Sequence, residues 1–153
     1  MSRWNAIARP LLTTTAVAWA ASLPAATFAA SQRLGSVAYA FPLVVFAIGS
    51  AVCHQIEARS FHLWGRQMPV CARCTGIYIG AAIAAAAVLT RRHRLVALHP
   101  PRVMAVLAVA AMPAAASLVF EWTTGIDPGN ILRAITGLVL GAAVAAVISY
   151  EIE

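Results

Sequence analysis

The chain has 153 residues, of which 61% are hydrophobic and 10% charged, and its mean hydropathy is +0.81. A soluble domain carries roughly a quarter charged residues, so this composition excludes an ordinary water-soluble protein and favours an integral membrane protein surrounded by the lipid bilayer. The net charge is +6 and every basic residue is arginine, but a soluble nucleic-acid-binding protein would not be this apolar.

Five apolar runs along the chain are long enough to be transmembrane segments, because about 20 residues cross a hydrocarbon core of about 30 Å. They are continuous and show no alternation of apolar and polar residues, which favours helices over a β-barrel. We therefore predict an all-α helical membrane bundle with four core transmembrane helices plus an amino-terminal helix. The runs cover residues 11–30, 34–52, 70–90, 103–120 and 131–150.

The first run has two interpretations. A basic head, an apolar middle and the small-residue end "TFAAS" resemble a secretory signal peptide. The alternative, which we favour because the apolar stretch is long for a signal, is a first helix kinked at Pro24. We accordingly divide the chain into an amino-terminal segment, 1–33, and a four-helix membrane domain, 34–153.

Two runs carry small residues at a spacing of four, which places them on one helical face. Such stripes let transmembrane helices approach closely. We expect the third and fifth runs to pack tightly, on each other. The stripes are Gly76, Gly80 and Ala84 in the third run and Gly137, Gly141 and Ala145 in the fifth.

All three cysteines lie in the segment "CHQIEARSFHLWGRQMPVCARCTGIYIG", residues 53–80. Cys71 and Cys74 are separated by two residues, a gap that lets two thiolates converge on one metal ion. Adding Cys53 and His54 gives three sulfur atoms and one nitrogen, which suit tetrahedral zinc. The sequence thus predicts a zinc site formed by these four residues.

Two other interpretations of the cysteines stay open. Cys71 begins a predicted helix, where the positive end of the helix dipole and the neighbouring Arg73 favour a thiolate, so Cys71 and Cys74 could exchange thiol and disulfide. In that case the chain is a membrane thiol or quinone-linked redox protein. Alternatively the cysteines are inert packing residues, in a transport or scaffold subunit whose arginines bind an anionic lipid or a small-molecule ligand.

No common catalytic signature is present in the sequence. It contains no phosphate-binding loop, no serine-hydrolase elbow and no His-Glu-x-x-His helix. The sequence therefore identifies neither a substrate nor a reaction.

A second polar group surrounds the connection between the fourth and fifth runs. Glu121 ends the fourth run, Asn130 is a natural helix cap, and Arg133 follows one turn later. An ionisable residue at membrane depth needs a partner, so we predict a Glu121–Arg133 ion pair. The predicted polar site also takes residues from the cysteine segment: Gln55, Arg59, Ser60 and Arg73.

The arginines predict the orientation of the chain. The connection 91–102 is the densest basic loop and should be cytoplasmic. That orientation places the cysteine segment and the second polar group together on the outer face, where they could form one pocket. It also leaves a conflict, because Arg3 and Arg9 would then lie outside if all five runs cross the membrane.

The cysteine segment resembles the signature of a prokaryotic membrane-protein family known as domain of unknown function 2085, and the resemblance covers about residues 34–147. The resemblance implies a small multi-span protein of a prokaryotic cell (inner) membrane with no defined activity. Where that family often has aspartate before its last motif, this chain has Glu121. The matching positions are Cys53, His54, Gln55, Arg59, Ser60, Phe61, Pro69, Cys71, Arg73, Cys74, Thr75, Gly76, Tyr78 and Gly80, and then Asn130, Arg133, Thr136 and Gly137.

Overall fold

The computed structural model describes residues 3–32, 39–90 and 100–151, and most of these residues are in helices. The prediction of an all-α bundle is therefore confirmed. A 3₁₀ turn at Glu57–Arg59 and a hairpin of two short antiparallel strands interrupt the helices. The helices are α1 (Arg3–Ser31), α2 (Ala40–Val52), α3 (Ala72–Thr90), α4 (Pro100–Thr124) and α5 (Asn130–Glu151), and the strands are β1 (His62–Leu63) and β2 (Arg66–Gln67).

Four of the described helices, α1, α3, α4 and α5, are long and apolar enough to cross a membrane. Four core transmembrane helices plus an amino-terminal helix were expected; the described residues contain four spanning candidates in all, because α1 is one of them and α2, in the second predicted run, is not. Helix α2 has 13 residues and is therefore about 20 Å long, less than a hydrocarbon core of about 30 Å. The first part of the second predicted run, 34–38, lies outside the described residues.

Both ends of α2 lie at the same end of the bundle. Tyr39, directly before α2, lines a cavity together with Ala30 near the end of α1. At the other end of α2, the Cys53 sulfur accepts a hydrogen bond of 3.2 Å from the backbone N–H of Cys71, directly before α3. Helix α2 therefore does not carry the chain to the opposite face. Its Val45 packs in the buried core, whereas Leu43, Val44 and Ile48 are exposed.

Helix α1 runs antiparallel to α3. The Thr13 hydroxyl donates a hydrogen bond of 3.2 Å to the carbonyl of Ala85, and the ring of Trp19 meets that of Tyr78 edge-on at 5.8 Å. Since early residues of α1 contact late residues of α3, the start of α1 lies at the end where α3 finishes and α4 begins. With α2 staying at the opposite end, the amino-terminal arginines and Arg102 share one face. This arrangement removes the charge conflict that five crossings would create.

Helices α3 and α5 are parallel and pack through their glycine stripes, as the sequence predicts. A Cβ at Gly76 would fall on the carbonyl oxygen of Ala134, and a Cβ at Gly141 would fall on that of Ile77. No side chain fits between the two backbones at these points. The same holds for Gly80 against Leu138 and for Gly137 against Arg73.

Enlarging Gly76 should separate α3 from α5. We expect Gly76→Val to lower the thermal unfolding temperature in detergent, measured by circular dichroism, because overpacking costs about 1–3 kcal/mol or more. Ala105→Val adds a branched side chain at an exposed position of α4 and should leave the unfolding temperature near that of the parent. Equal unfolding temperatures for the Gly76→Val variant and the parent would contradict the contact.

Single lysines can report which positions share a membrane face, because the chain contains no lysine. We expect Arg3→Lys and Arg102→Lys to react from the same side with a membrane-impermeant amine reagent, and Ala58→Lys to react from the opposite side. The lysine-free parent measures labelling of the terminal amine. Reaction of Arg3→Lys and Arg102→Lys from opposite sides would instead indicate that α2 crosses the membrane.

Candidate functional site

The segment between α2 and α3 folds back on itself through residues in left-handed conformations. Gln55 has φ 49°, while Trp64 and Gly65 form the hairpin turn with φ 52° and 72°. Only glycine adopts this region without strain, so the strain at Gln55 must be offset by its contacts. Its side-chain amide donates hydrogen bonds to the carbonyls of Phe46, at 2.9 Å, and Pro69, at 2.7 Å. Gln55 thereby joins α2 to the residues that lead into α3.

A second glutamine and a buried serine complete this folded segment. The Gln67 amide donates to the carbonyl of Gln55 at 2.6 Å and to the hydroxyl of Ser60 at 3.1 Å. The Ser60 hydroxyl donates in turn to the carbonyl of Ile56 at 2.8 Å, and Ser60 is 1% exposed. Gln55 and Ser60, both expected in a polar site, thus hold the backbone of the segment. The role of Gln67 was not predicted.

The three cysteine sulfurs come together where α2 ends and α3 begins. The Sγ atoms of Cys53, Cys71 and Cys74 all lie within 4.8 Å of one another, and all three are free thiols. Cys53 is buried, whereas Cys71 and Cys74 are half-buried. The surrounding side chains are mainly apolar and include Leu23 and Ala26 of α1, Val70, Trp19 and Tyr78.

His54 is exposed. The cluster that the described residues form contains the three cysteines and does not include His54. Cys53 has extended backbone geometry, with φ −146° and ψ 138°. Successive side chains of extended backbone point in opposite directions. When Cys53 points inward, His54 therefore points outward. The predicted set of four ligands divides into three clustered sulfurs and one separate imidazole.

The pKa of Cys71, which lies directly before the spanning helix α3, is lowered from its ordinary value. A hydrogen bond from the Cys74 side chain, the largest influence, lowers the pKa of Cys71 to about 5, although partial burial acts in the opposite direction. Hydrogen bonding to a thiolate favours its charged form. At neutral pH the cluster therefore contains at least one thiolate, which is the form that binds metals and attacks disulfides.

An ion network occupies the same end of the bundle, and its largely buried centre is the predicted Glu121–Arg133 pair. Glu121 Oε1 lies 2.9 Å from Arg133 Nη2 and 2.6 Å from Arg59 Nη2. The side chains of Arg133 and Glu121 are 3% and 12% exposed. The Glu121–Arg133 prediction is confirmed, while the pairing of Glu121 with Arg59, 62 positions earlier in the chain, was not predicted. The carboxylate joins the cysteine segment to α4 and α5.

Asp127 is a member of this network that the sequence analysis did not identify. Its carboxylate lies 3.1 Å from Arg133 Nη1 and accepts a hydrogen bond of 2.6 Å from the backbone N–H of Gly129. The Gly129 N–H, followed by Arg133, lowers the pKa of Asp127. The "DPGN" turn was the available signal, because aspartate accepts hydrogen bonds from backbone two residues later in such turns.

Asn130 and Arg73 each link two elements of the site. The Asn130 amide donates to the carbonyl of Ser60 at 3.1 Å, so it attaches the start of α5 to the cysteine segment. Arg73 extends from α3 to α4, where its Nη2 donates to the hydroxyl of Ser117 at 2.8 Å. Its Nε is buried without a hydrogen-bond partner. The sulfur cluster and the ion network therefore lie at one end of the bundle and share the segment between Cys53 and Cys71.

Comparisons with known proteins find similar segments in uncharacterised proteins. Over 41 residues the chain is 46% identical to an uncharacterised protein of Methanocaldococcus jannaschii, covering 27% of this chain and 26% of that protein. Over 30 residues it is 53% identical to an uncharacterised protein of Methanothermobacter thermautotrophicus, covering 20% and 27%. The matched segments thus span about a quarter of each relative's length. No solved structure matches the chain.

The family match covers most of the bundle. The model of the family described as "Predicted membrane protein (DUF2085)" matches residues 53–147, from the first cysteine to the last turns of α5. This range contains the sulfur cluster, the ion network and the α3–α5 contact. The chain therefore belongs to the DUF2085 family of membrane proteins.

Proposed function

We propose that this membrane protein holds one zinc ion through the thiolates of Cys53, Cys71 and Cys74. The observation that carries the proposal is the convergence of the three sulfur atoms within 4.8 Å of one another. Zinc–sulfur bonds of about 2.3 Å in tetrahedral geometry separate the sulfurs by about 3.8 Å. The cluster therefore needs only a small contraction to bind the ion.

The three sulfur ligands favour a zinc site with one open coordination position. Structural zinc sites use four protein ligands, whereas three protein ligands leave the fourth position to a solvent molecule or a substrate. His54 is exposed and would need to reverse its direction to bind. We therefore propose three protein ligands, with Cys71 and Cys74, which are half-buried, on the accessible side of the ion.

We further propose that the site faces outward from a prokaryotic cell membrane. The charge distribution supports this orientation, because arginines beside transmembrane helices concentrate on the cytoplasmic side. In the four-crossing arrangement, Arg3, Arg9 and Arg102 lie at the end opposite the cysteines. At the cysteine end, Arg59 and Arg133 bind Glu121, while Arg73 donates to the neutral hydroxyl of Ser117.

Metal analysis of the purified chain tests the zinc proposal. We expect about one zinc per chain in the parent and a fall to background in Cys53→Ser, Cys71→Ser and Cys74→Ser, because a hydroxyl is a poor zinc ligand. His54→Ala is the matched control and should retain zinc. An unchanged zinc content in the triple serine variant would contradict the proposal. Loss of zinc in His54→Ala would instead indicate that His54 is a fourth ligand, as the sequence predicts.

Thiol–disulfide exchange between Cys71 and Cys74 is a second candidate function. The low pKa of Cys71, about 5, favours it, because a thiolate at neutral pH is the attacking form in this chemistry. Metal-free protein with a Cys71–Cys74 disulfide that forms and is reduced reversibly would favour this function over zinc binding. If all three cysteines can become serine with fold and phenotype intact, both proposals fail and a transport or scaffold role gains support.

The acidity of Cys71 can be measured by alkylation of metal-free protein, followed by peptide mass spectrometry. Because its pKa is about 5, the thiolate is already formed above pH 6, and we expect the alkylation rate of Cys71 to change little between pH 6 and 8. An ordinary thiol with a pKa of about 8.5 would accelerate roughly 75-fold over that range. In Cys74→Ala, which lacks the hydrogen-bond donor, the steep pH dependence should return. A steep rise in the parent would contradict the assignment.

A further inference from the structure

An apolar cavity lies beside the cysteine segment, between the end of α1, helix α2 and the hairpin. Its volume is about 320 Å³. Its apolar side is formed by Ala30, Pro42, Leu43 and Phe46. Cavities that hold small molecules measure about 300–1,000 Å³. This cavity is at the lower end of that range, which suits one hydrocarbon chain.

Arg66 provides the positive charge at this cavity. It lines the cavity together with Gln67, whose amide is already bound to Gln55 and Ser60. Arg66 is exposed, and its guanidinium makes no hydrogen bond or ion pair with the described part of the chain. The carboxylates described at this end lie beside other groups: Glu121 binds Arg59 and Arg133, Asp127 binds Arg133, and the exposed Glu57 lies 3.7 Å from the imidazole of His62.

We propose that this cavity binds one chain of an anionic phospholipid, with the lipid phosphate on Arg66. An apolar cavity next to a cation without a carboxylate partner complements an amphiphile that has a hydrocarbon chain and a negative head. The planar guanidinium presents parallel N–H groups that match phosphate oxygens. The surrounding bilayer supplies such molecules, and the position of the cavity at one end of the spanning helices matches headgroup depth.

The charge of the headgroup determines the selectivity of this site. Phosphatidylglycerol has a net negative charge, whereas phosphatidylcholine carries its own ammonium group, which offsets the attraction of its phosphate for Arg66. One arginine near a membrane surface favours an anionic lipid about fivefold. The site should therefore retain phosphatidylglycerol in preference to phosphatidylcholine.

Native mass spectrometry of the full chain in detergent tests the proposal, with equal concentrations of phosphatidylglycerol and phosphatidylcholine as probes. We expect one retained phosphatidylglycerol molecule and an excess over phosphatidylcholine of about fivefold. Arg66→Gln should abolish that excess. Arg102→Gln is the matched control, because it removes the same charge from an exposed position at the other end of the bundle, and it should preserve the excess.

A cavity-filling variant tests the binding of the hydrocarbon chain. Ala30→Phe should reduce the retained lipid of both types. Ala8→Phe is the control, since Ala8 lines a cavity of similar size, about 300 Å³, near the start of α1, where no arginine contributes to the walls. Retention of phosphatidylglycerol by Arg66→Gln at the parent level, or an equal loss of selectivity in Arg66→Gln and Arg102→Gln, would overturn the proposal. Arg66 is exposed, so its replacement tests the site even if Ala30→Phe does not fold.

Discussion

The close approach of α3 and α5 is the constraint on which the rest of the site depends. Gly76 and Gly80 of α3 lie against carbonyl groups of α5, and Gly137 and Gly141 of α5 lie against carbonyl groups of α3. In a bilayer, helices gain little from hydrophobic burial against each other, so such backbone contacts contribute much of their association. Because Cys71 and Cys74 lie just before and in the first turn of α3, and Asn130 and Arg133 lie in the first turn of α5, the contact between the two helices fixes the relative positions of the sulfur cluster and the ion network.

Features that depend on local periodicity or on a simple physical requirement could be predicted from the sequence. The glycine stripes follow from spacing along one helix. The Glu121–Arg133 pair follows from the cost of an unpaired charge at membrane depth. The convergence of Cys53 on Cys71 and Cys74 follows because the two ends of one connection between apolar segments lie at the same face.

Features that depend on the tertiary path of the chain could not be predicted. Hydropathy does not distinguish an apolar helix that crosses the bilayer from one that packs at its end, so α2 could not be recognised as a short helix. The direction of His54 depends on the extended backbone at Cys53. The contact between Arg59 and Glu121 requires the folded hairpin segment to lie over α4. No local sequence pattern predicts a contact between residues so far apart in the chain.

Hydrogen bonds of Ser60 link the cysteine segment, which holds the sulfur cluster, to the start of α5, which holds part of the ion network. The Ser60 hydroxyl binds Gln67 and Ile56 within the cysteine segment, while its carbonyl binds Asn130 at the start of α5. Because Ser60 is almost fully buried, a hydroxyl or carbonyl of this residue that lost all of its hydrogen bonds would cost about 1–3 kcal/mol. The segment therefore resists moving away from α5 as a separate loop. A ligand that drew the three sulfurs together would act on a backbone that the Glu121 network already holds, and the rearrangement on binding would be small.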